Sequence, residues 1–420
     1  MPAPTKLHGW HLITAVAALT IFAEGYDIVV FGAVLPGLLV EPSWDLSKAE
    51  AGLIGSATYL GMLIGSVVSG RFVDRFGPRR ILLTMTVFLA LGVSACAVAG
   101  SPVQLGVFRF VLGLAVGGNI PAAIVAARSA APAQRMNLAL TWISSGILIG
   151  GAAASLIAIP VLPTLGWRAL FWIGAGISLV ALAATALVLP ARPVRAPGNR
   201  PGKVRLSQVL RPRHRRLLTA CILATTANML VWNGMSTWLT TSMKDLGYTL
   251  TSSLQFSLLL TVSALLGSLS LGVFADRSSA RTAGLLSTGI GLVGLAGCVF
   301  AAHTPGFAWV SIALLGAGAG STTTMIGNVV AIGVPAEVRG TAFGLNNGLG
   351  RVGAIFGPLA GGWIIGATVG PTWFFVFCAA VLVLCAVALS LVPRVGVPVG
   401  DDEPMARQQG GTAEDVPAAS

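Results

Sequence analysis

The sequence predicts an all-α membrane protein: twelve transmembrane helices in two pseudo-symmetric six-helix bundles. Three observations carry that reading. Of the 420 residues 55% are hydrophobic and only 10% charged, against roughly a quarter charged in soluble domains. The apolar runs are long enough to cross a bilayer as helices and are separated by short polar turns. A segment also recurs: Gly65-Ser-Val-Val-Ser-Gly70-Arg-Phe-Val-Asp74-Arg75 aligns without gaps on Gly267-Ser-Leu-Ser-Leu-Gly272-Val-Phe-Ala-Asp276-Arg277, an offset of 202. The 53 glycines suit closely packed helices better than a membrane barrel.

Taken in order, the spans fall near 10–36, 49–70, 79–99, 102–126, 137–160, 167–189, 217–242, 252–274, 282–301, 306–333, 341–366 and 372–392. The first ends near Pro36, and the loop 41–50 that follows is acidic. Ser47 with Glu50 three residues later reads as a capping box opening the second span. That span is rich in small residues (Gly52, Gly55, Gly61, Gly65), which lets a neighbouring backbone approach. Gly113 and Gly117 in the fourth span match Gly316 and Gly320 in the tenth at offset 203, and Pro132-Ala-Gln-Arg135 resembles Pro335-Ala-Glu-Val-Arg339. A repeat of about 200 residues implies two halves, 1–189 and 217–392, joined by a basic linker, 190–216, and followed by a tail, 393–420, expected to be disordered.

The net charge of +12 does not indicate nucleic acid, because of where the charges lie. Of the 26 basic residues only Lys48, Arg168 and Lys244 fall in outer loops and Arg109 and Arg351 inside spans; nine crowd the linker. That bias places both termini in the cytoplasm, with the linker against anionic lipid at the inner membrane surface. The first apolar run is too long for a cleaved leader and is expected to remain as the first span. Cys96, Cys221, Cys298, Cys378 and Cys385 lie in apolar spans with no metal spacing and read as small packing residues. No metal or cofactor is expected. Trp10, Trp44 and Trp167 are read as interface anchors.

Within the first span stand Glu24 and Asp27, three residues apart and so on one helical face. Acids in hydrocarbon mark a functional site by default. Arg109, roughly 10 Å into the fourth span at 1.5 Å per residue, reaches the same depth. A buried Asp beside a buried Arg is favoured as an ion pair; an acid parted from its cation in hydrocarbon is favoured neutral, and so takes a proton. A static pair holding two helices is the structural alternative. Arg351, about 16 Å into the eleventh span, has no acid of its own half to pair with. Its planar fork suits a carboxylate, or it reaches Glu24 or Asp27 when the site is empty. Asn346, Asn347, Asn228 and Asn233 could add hydrogen bonds. Tyr26, Tyr59, Phe108, Trp142 and Trp232 lie near these depths and could stack a ring, or pack, or face lipid. Asp74 and Asp276, followed by Arg75 and Arg277, end spans at the inner surface. There each acid could dock on a helix N-terminus of the other half, near Arg135 or Arg339, while the inside is closed.

From Asp74-Arg75-Phe-Gly77-Pro-Arg79-Arg80 and its copy at Asp276-Arg277, the whole chain resembles the major facilitator superfamily. Within it, the chain resembles the aromatic acid:proton symporter family. The carriers are Glu24-Gly-Tyr-Asp27 with Gly32 and Pro36, Arg109-Phe-Val-Leu-Gly113 with Gly117-Gly118, and Gly350-Arg351-Val-Gly353-Ala-Ile-Phe-Gly357-Pro358 with Gly361-Gly362. The resemblance implies proton-coupled import of aromatic carboxylates such as 4-hydroxybenzoate, protocatechuate or benzoate, with Glu24, Asp27, Asp74, Arg109 and Arg351 at positions important for transport. Glu24 stands where the family usually has Asp. The expected partners are a small organic anion, protons and membrane lipids, and the expected state is a monomer. Carriage of a nicotinate-like or aliphatic acid, or efflux, is the alternative. A membrane enzyme or sensor is disfavoured: His8, His11, His214 and His303 show no metal pairing, and no large soluble domain exists.

Overall fold

A computed structural model describes residues 9–190, 212–301, 304–367 and 370–392. The expected linker from residue 191 to 211 and the expected tail from 393 lie outside the described residues. All regular structure among the described residues is helical: α1 (Trp10–Leu38), α2 (Lys48–Phe76), α3 (Pro78–Ala97), α4 (Pro102–Ala130), a 3₁₀ turn (Ala133–Arg135), α5 (Met136–Val188), α6 (Pro212–Asp245), α7 (Leu250–Arg277), α8 (Ala280–Ala301), α9 (Pro305–Gly333), α10 (Ala336–Gly366) and α11 (Pro371–Ser390). All eleven α-helices are long and apolar enough to cross a membrane, one fewer than the twelve expected spans. The difference falls at α5, a 53-residue element where the sequence suggests two spans. At 1.5 Å per residue it is roughly 80 Å long, more than twice a hydrocarbon core of about 30 Å. It breaks at Gly166, whose φ of 74° and ψ of 178° leave the helical region and cost glycine no Cβ clash.

Helix starts follow the sequence signals. The Ser47 hydroxyl accepts from the Glu50 amide (3.2 Å) while the Glu50 carboxylate accepts from the Ser47 amide (3.0 Å), the reciprocal pair of a capping box. Pro102 opens α4 behind Ser101, whose side chain accepts from the Gln104 amide. α1 continues two residues past expectation, taking in Pro36 and ending at Leu38.

The sequence repeat is also a repeat of contacts. A Cβ on Gly65 would strike the backbone of Leu114, and one on Gly267 that of Ala317; Gly113 abuts Thr58 as Gly316 abuts Leu260. Each pair joins helices at matching places in the two halves of the chain. Arg79 donates to the Ala186 carbonyl (2.9 Å) near the end of α5, and Arg281, 202 residues on, donates to the Leu389 and Ser390 carbonyls (3.3 and 2.6 Å) at the end of α11. Such guanidinium groups satisfy carbonyls that a helix end leaves free.

The halves meet along α2 and α10, α5 and α7, and α1 and α6. Their close contacts lie toward one end of the molecule, the far end, opposite the start of α1. There Lys48 pairs with Asp245 at 2.7 Å, Gly362 lies under the Lys48 carbonyl, Gly52 under that of Pro358, and Gly32 abuts the Ser236 carbonyl. Ser56 donates to the Ile355 carbonyl (2.6 Å), and Ser155 and Ser257 share a hydrogen bond (3.2 Å). At the other, near end, a Cβ on Gly340, Gly344 or Gly348 of α10 would meet nothing within 4 Å. Among the described residues the bundle is therefore shut at the far end and parted at the near end.

Two expected interface anchors are instead internal. Trp44 and Trp167 are buried against each other, centroids 5.3 Å apart, and the Trp167 indole donates to Glu41 (2.8 Å). They clasp the loop after α1 to α5; a Trp with a satisfied polar edge, as Trp167 is, packs inside as readily as at an interface, whereas the buried Trp44 N–H has no partner among the described residues. The five cysteines are free and buried.

Candidate functional site

α1 is buried on nearly every side from Val16 to Leu38, as a helix at the centre of a bundle is. Its two acids are therefore enclosed: Glu24 is 0% and Asp27 1% exposed. α4 brings up Arg109, itself 2% exposed, with Nη1 3.9 Å from the Asp27 carboxylate. The guanidinium lies over the Phe31 ring, 4.2 Å from its centroid, a cation–π contact that fixes its plane from below. Both Asp27 oxygens and the Arg109 Nε and Nη1 lack hydrogen-bond partners, so the pair is in Coulombic contact with its hydrogen-bonding capacity open.

Glu24 lies closer to the parted end. It sits beside Asn119 of α4, and Arg351 is the cation whose field reaches it. The Glu24 oxygens and the Asn119 amide atoms have no partner other than each other. Arg351, from α10 in the other half, donates through Nη1 to the Met62 carbonyl of α2 at 2.9 Å. Asn346, fully buried one turn before Arg351, accepts from Thr225 at 3.2 Å and keeps its Nδ2 unpartnered. Four charged groups, two acids and two arginines, thus gather in the middle of an apolar bundle where its halves meet.

Residues 17–355 match the Major Facilitator Superfamily. The chain is 32% identical over 383 residues to the gentisate transporter of Corynebacterium glutamicum, covering 89% of this chain and 85% of that one. The chain belongs to the Major Facilitator Superfamily. It is also 27% identical over 428 residues to the benzoate transport protein of Acinetobacter baylyi, covering 92% and 90% of the two chains. The fold matches a D-xylose-proton symporter with a TM-score of 0.75 at 19% identity, covering 92% of this chain and 98% of that one. Membership in a family of carriers sets the enzyme reading aside, and the resemblance to aromatic acid transporters stands on the whole length.

For a facilitator, the remaining site candidates divide by where their side chains go. Tyr59 is buried near Arg109, Asp27 and Thr237. Tyr26 is buried too, but its hydroxyl donates to the Leu170 carbonyl at 2.9 Å, inside the first half and away from the seam. Trp142 is 58% exposed and shares its helix face with Ile149 and Leu156, both exposed; that stripe is the outside of the bundle. Depth along a helix does not give the side it faces, which is why both were grouped with the charges. Asn228 ties α6 to α9 through the Ala319 carbonyl (3.0 Å) and Thr323 (2.9 Å). Asn233 and Asn347 donate back to their own helices, at Met229 and Phe343.

The expected gate residues line the near end. Arg75, Arg135, Asp276, Arg277 and Arg339 are exposed, and Arg75 lies 5.3 Å from the Phe76 ring centroid. Asp276 makes no ion pair among the described residues; the side chain of Asp74 lies outside what the structure describes. The sequence reading missed Asn119, the Met62 carbonyl and a run of buried hydroxyls on α6. In that run Ser236, Thr240, Thr241 and Ser242 have no hydrogen-bond partner. Asn119, an amide deep in a glycine-rich helix, was the readable one: it lies ten residues after Arg109 on the same span.

Proposed function

We propose that this facilitator imports an aromatic carboxylate together with protons by alternating access. Two six-helix bundles rock about the seam, with α5 crossing twice around Gly166. The basic bias of the near-end segments supports a cytoplasmic near end, termini included, in a bacterial inner membrane; the shut far end is then the outer gate. The observation that carries the reading is the meeting of Glu24, Asp27, Arg109 and Arg351 at the contact of the halves. Charges inside hydrocarbon are costly unless they are used. Arg351 can offer a carboxylate its guanidinium fork, with Asn346 Nδ2 beside it as a neutral donor and Tyr59 at the next level toward the outer gate. An anion arriving at Arg351 competes for the cation nearest Glu24. An acid so deprived favours its proton, and neutralised charges let the bundles pass from one closed end to the other. The gentisate and benzoate relatives support the aromatic class.

Purified protein in liposomes tests this with labelled gentisate, 4-hydroxybenzoate, benzoate and nicotinate, each with and without an inward proton gradient. Accumulation of a benzoate-type acid that depends on the gradient is expected. Accumulation of nicotinate alone moves the substrate to a pyridine carboxylate. Failure of all four, in vesicles that hold a gradient, overturns the aromatic reading and leaves the family.

A further inference from the structure

The two acids of α1 stand in different mechanical positions. Asp27 and its cation Arg109 both belong to the first half, on α1 and α4, and the Phe31 ring of α1 lies beneath the guanidinium. Rocking one half against the other moves all three together, so it cannot part them. Among the described residues the cation whose field reaches Glu24 is Arg351, carried by α10 of the second half and docked on the Met62 carbonyl of the first. Only the surroundings of Glu24 change when the halves move.

Asn119 completes the arrangement. It is 0% exposed, and its amide atoms and the Glu24 carboxyl beside it have no partner other than each other. An amide is one of the few side chains that serves both forms of an acid: Nδ2–H donates to a carboxylate, and Oδ1 accepts from a carboxylic acid. The second half holds the counterpart of Glu24 in a form with no charge to manage. The contact of Gly150 with Phe22 recurs as that of Gly353 with Thr226, which sets α1 on α6 at an offset of 204. On that offset Glu24 falls on Asn228, which is hydrogen-bonded to Thr323 of α9 at 2.9 Å; Asn119, on the offset of 203 that relates α4 to α9, falls on the neighbouring Thr322.

Resting on the proton-coupled reading above, we propose that Glu24, positioned by Asn119, carries the exchangeable proton, while Asp27 stays ionised against Arg109 as a fixed pair. The other groups around Glu24 are few. Asp27 is on its own helix, Arg109 and Asn119 are on α4, and Arg351 comes from α10. Ile147 and Gly150 of α5, and Ser236 of α6 further out against Gly32, do not titrate, and Cys96 of α3 faces Asp27.

The test needs no substrate, so it is separate from the aromatic reading. Acid-minus-base infrared difference spectra of the purified protein are expected to show a protonated-carboxyl band that Glu24→Gln removes and Asp27→Asn leaves. Asn119→Leu is expected to move that band to the frequency of a carboxyl without a hydrogen bond. It also shifts the band's titration, since a hydrogen bond acts unequally on the charged and neutral forms of the acid. Asn119→Ser, the milder change should Leu prevent folding, is expected to fall between. A band that survives Glu24→Gln and vanishes in Asp27→Asn overturns the assignment. So does the absence of any such band in the parent, or an Asn119 variant whose band and titration match the parent's.

Discussion

The far and near ends of the seam are built from the same helices and are in opposite conditions. On α10, one stripe of positions runs 344, 348, 351, 355, 358 and 362, at the three- and four-residue spacing of a single helix face. Its last members press on α2: the Ile355 carbonyl accepts from Ser56, the Pro358 carbonyl covers Gly52, and Gly362 lies under Lys48. Its first members, Gly344 and Gly348, face open space. Arg351 stands at the boundary, with its hydrogen bond to Met62 the contact of that stripe nearest the parted end. The difference teaches that the buried charges sit at the pivot level, where contact between halves gives way to separation. A group placed there is the one whose partners an opposite rocking would exchange.

The comparison breaks most readily at Gly32. A methyl there meets the Ser236 backbone carbonyl of the other half, and neither helix can give without reopening the far end. Overpacking of this kind costs roughly 1–3 kcal/mol, so Gly32→Ala is expected to slow transport roughly five- to 150-fold and to favour the far-open state. Thr240→Cys, at a site now fully buried, reports it, since the native cysteines are all buried. Impermeant maleimide applied from the far side should label Thr240→Cys faster in the Gly32→Ala background. Equal labelling would mean that the far end does not close through this contact.

Next in size is Arg351→Ala, which removes the cross-half bond to Met62 and the proposed anion fork together. Hydrogen bonds to charged groups are worth about 1.5–3 kcal/mol, so calorimetry should show the parent's aromatic acid binding roughly ten- to a hundredfold more weakly. Arg351→Lys keeps the charge but loses the planar fork, and should recover only part of the affinity. Unchanged affinity in Arg351→Ala would remove this residue from the site.

What the sequence disclosed and concealed follows the same division. Glu24, Asp27, Arg109 and Arg351 stand out because a charge in an apolar run has no inexpensive structural explanation, and the structure gathers all four. The repeat was legible because close helix packing admits only glycine at points such as Gly65 and Gly267. Tyr26 and Trp142 were grouped by depth alone, and rotation about the helix axis sends one into the first half and the other to the outside. The α6 hydroxyls were silent because Ser and Thr in a membrane helix can return their bonds to their own backbone, so they carry no sign of burial at a seam. Which end is shut is not written in any one residue. The sequence must encode both states.

A smaller effect is expected at Lys48 and Asp245. Their side chains are 31% and 30% exposed, and partly solvated pairs contribute at most about 1 kcal/mol, less in high salt. Lys48→Ala should change the transport rate less than about fivefold. The exchanged pair Lys48→Asp with Asp245→Lys should restore the parent's rate at low salt. A charge swap no better than the single change would show that the pair does not help hold the far end shut.

The smallest change in this structure is Gly344→Ala. Here the methyl meets nothing, and alanine favours a helix interior over glycine by about 0.5–1 kcal/mol, so the melting temperature of the purified protein should rise slightly. The same stripe, though, needs glycine at 362 where the seam is shut. If the near end closes as the far end has, position 344 comes under an α2 backbone, and the added methyl then opposes closure. Gly344→Ala should therefore combine a slightly higher melting temperature with slower uptake. A higher melting temperature with unchanged uptake would mean that the near end closes without backbone contact at 344, leaving the gating arginines and Asp276 to hold it through longer side chains.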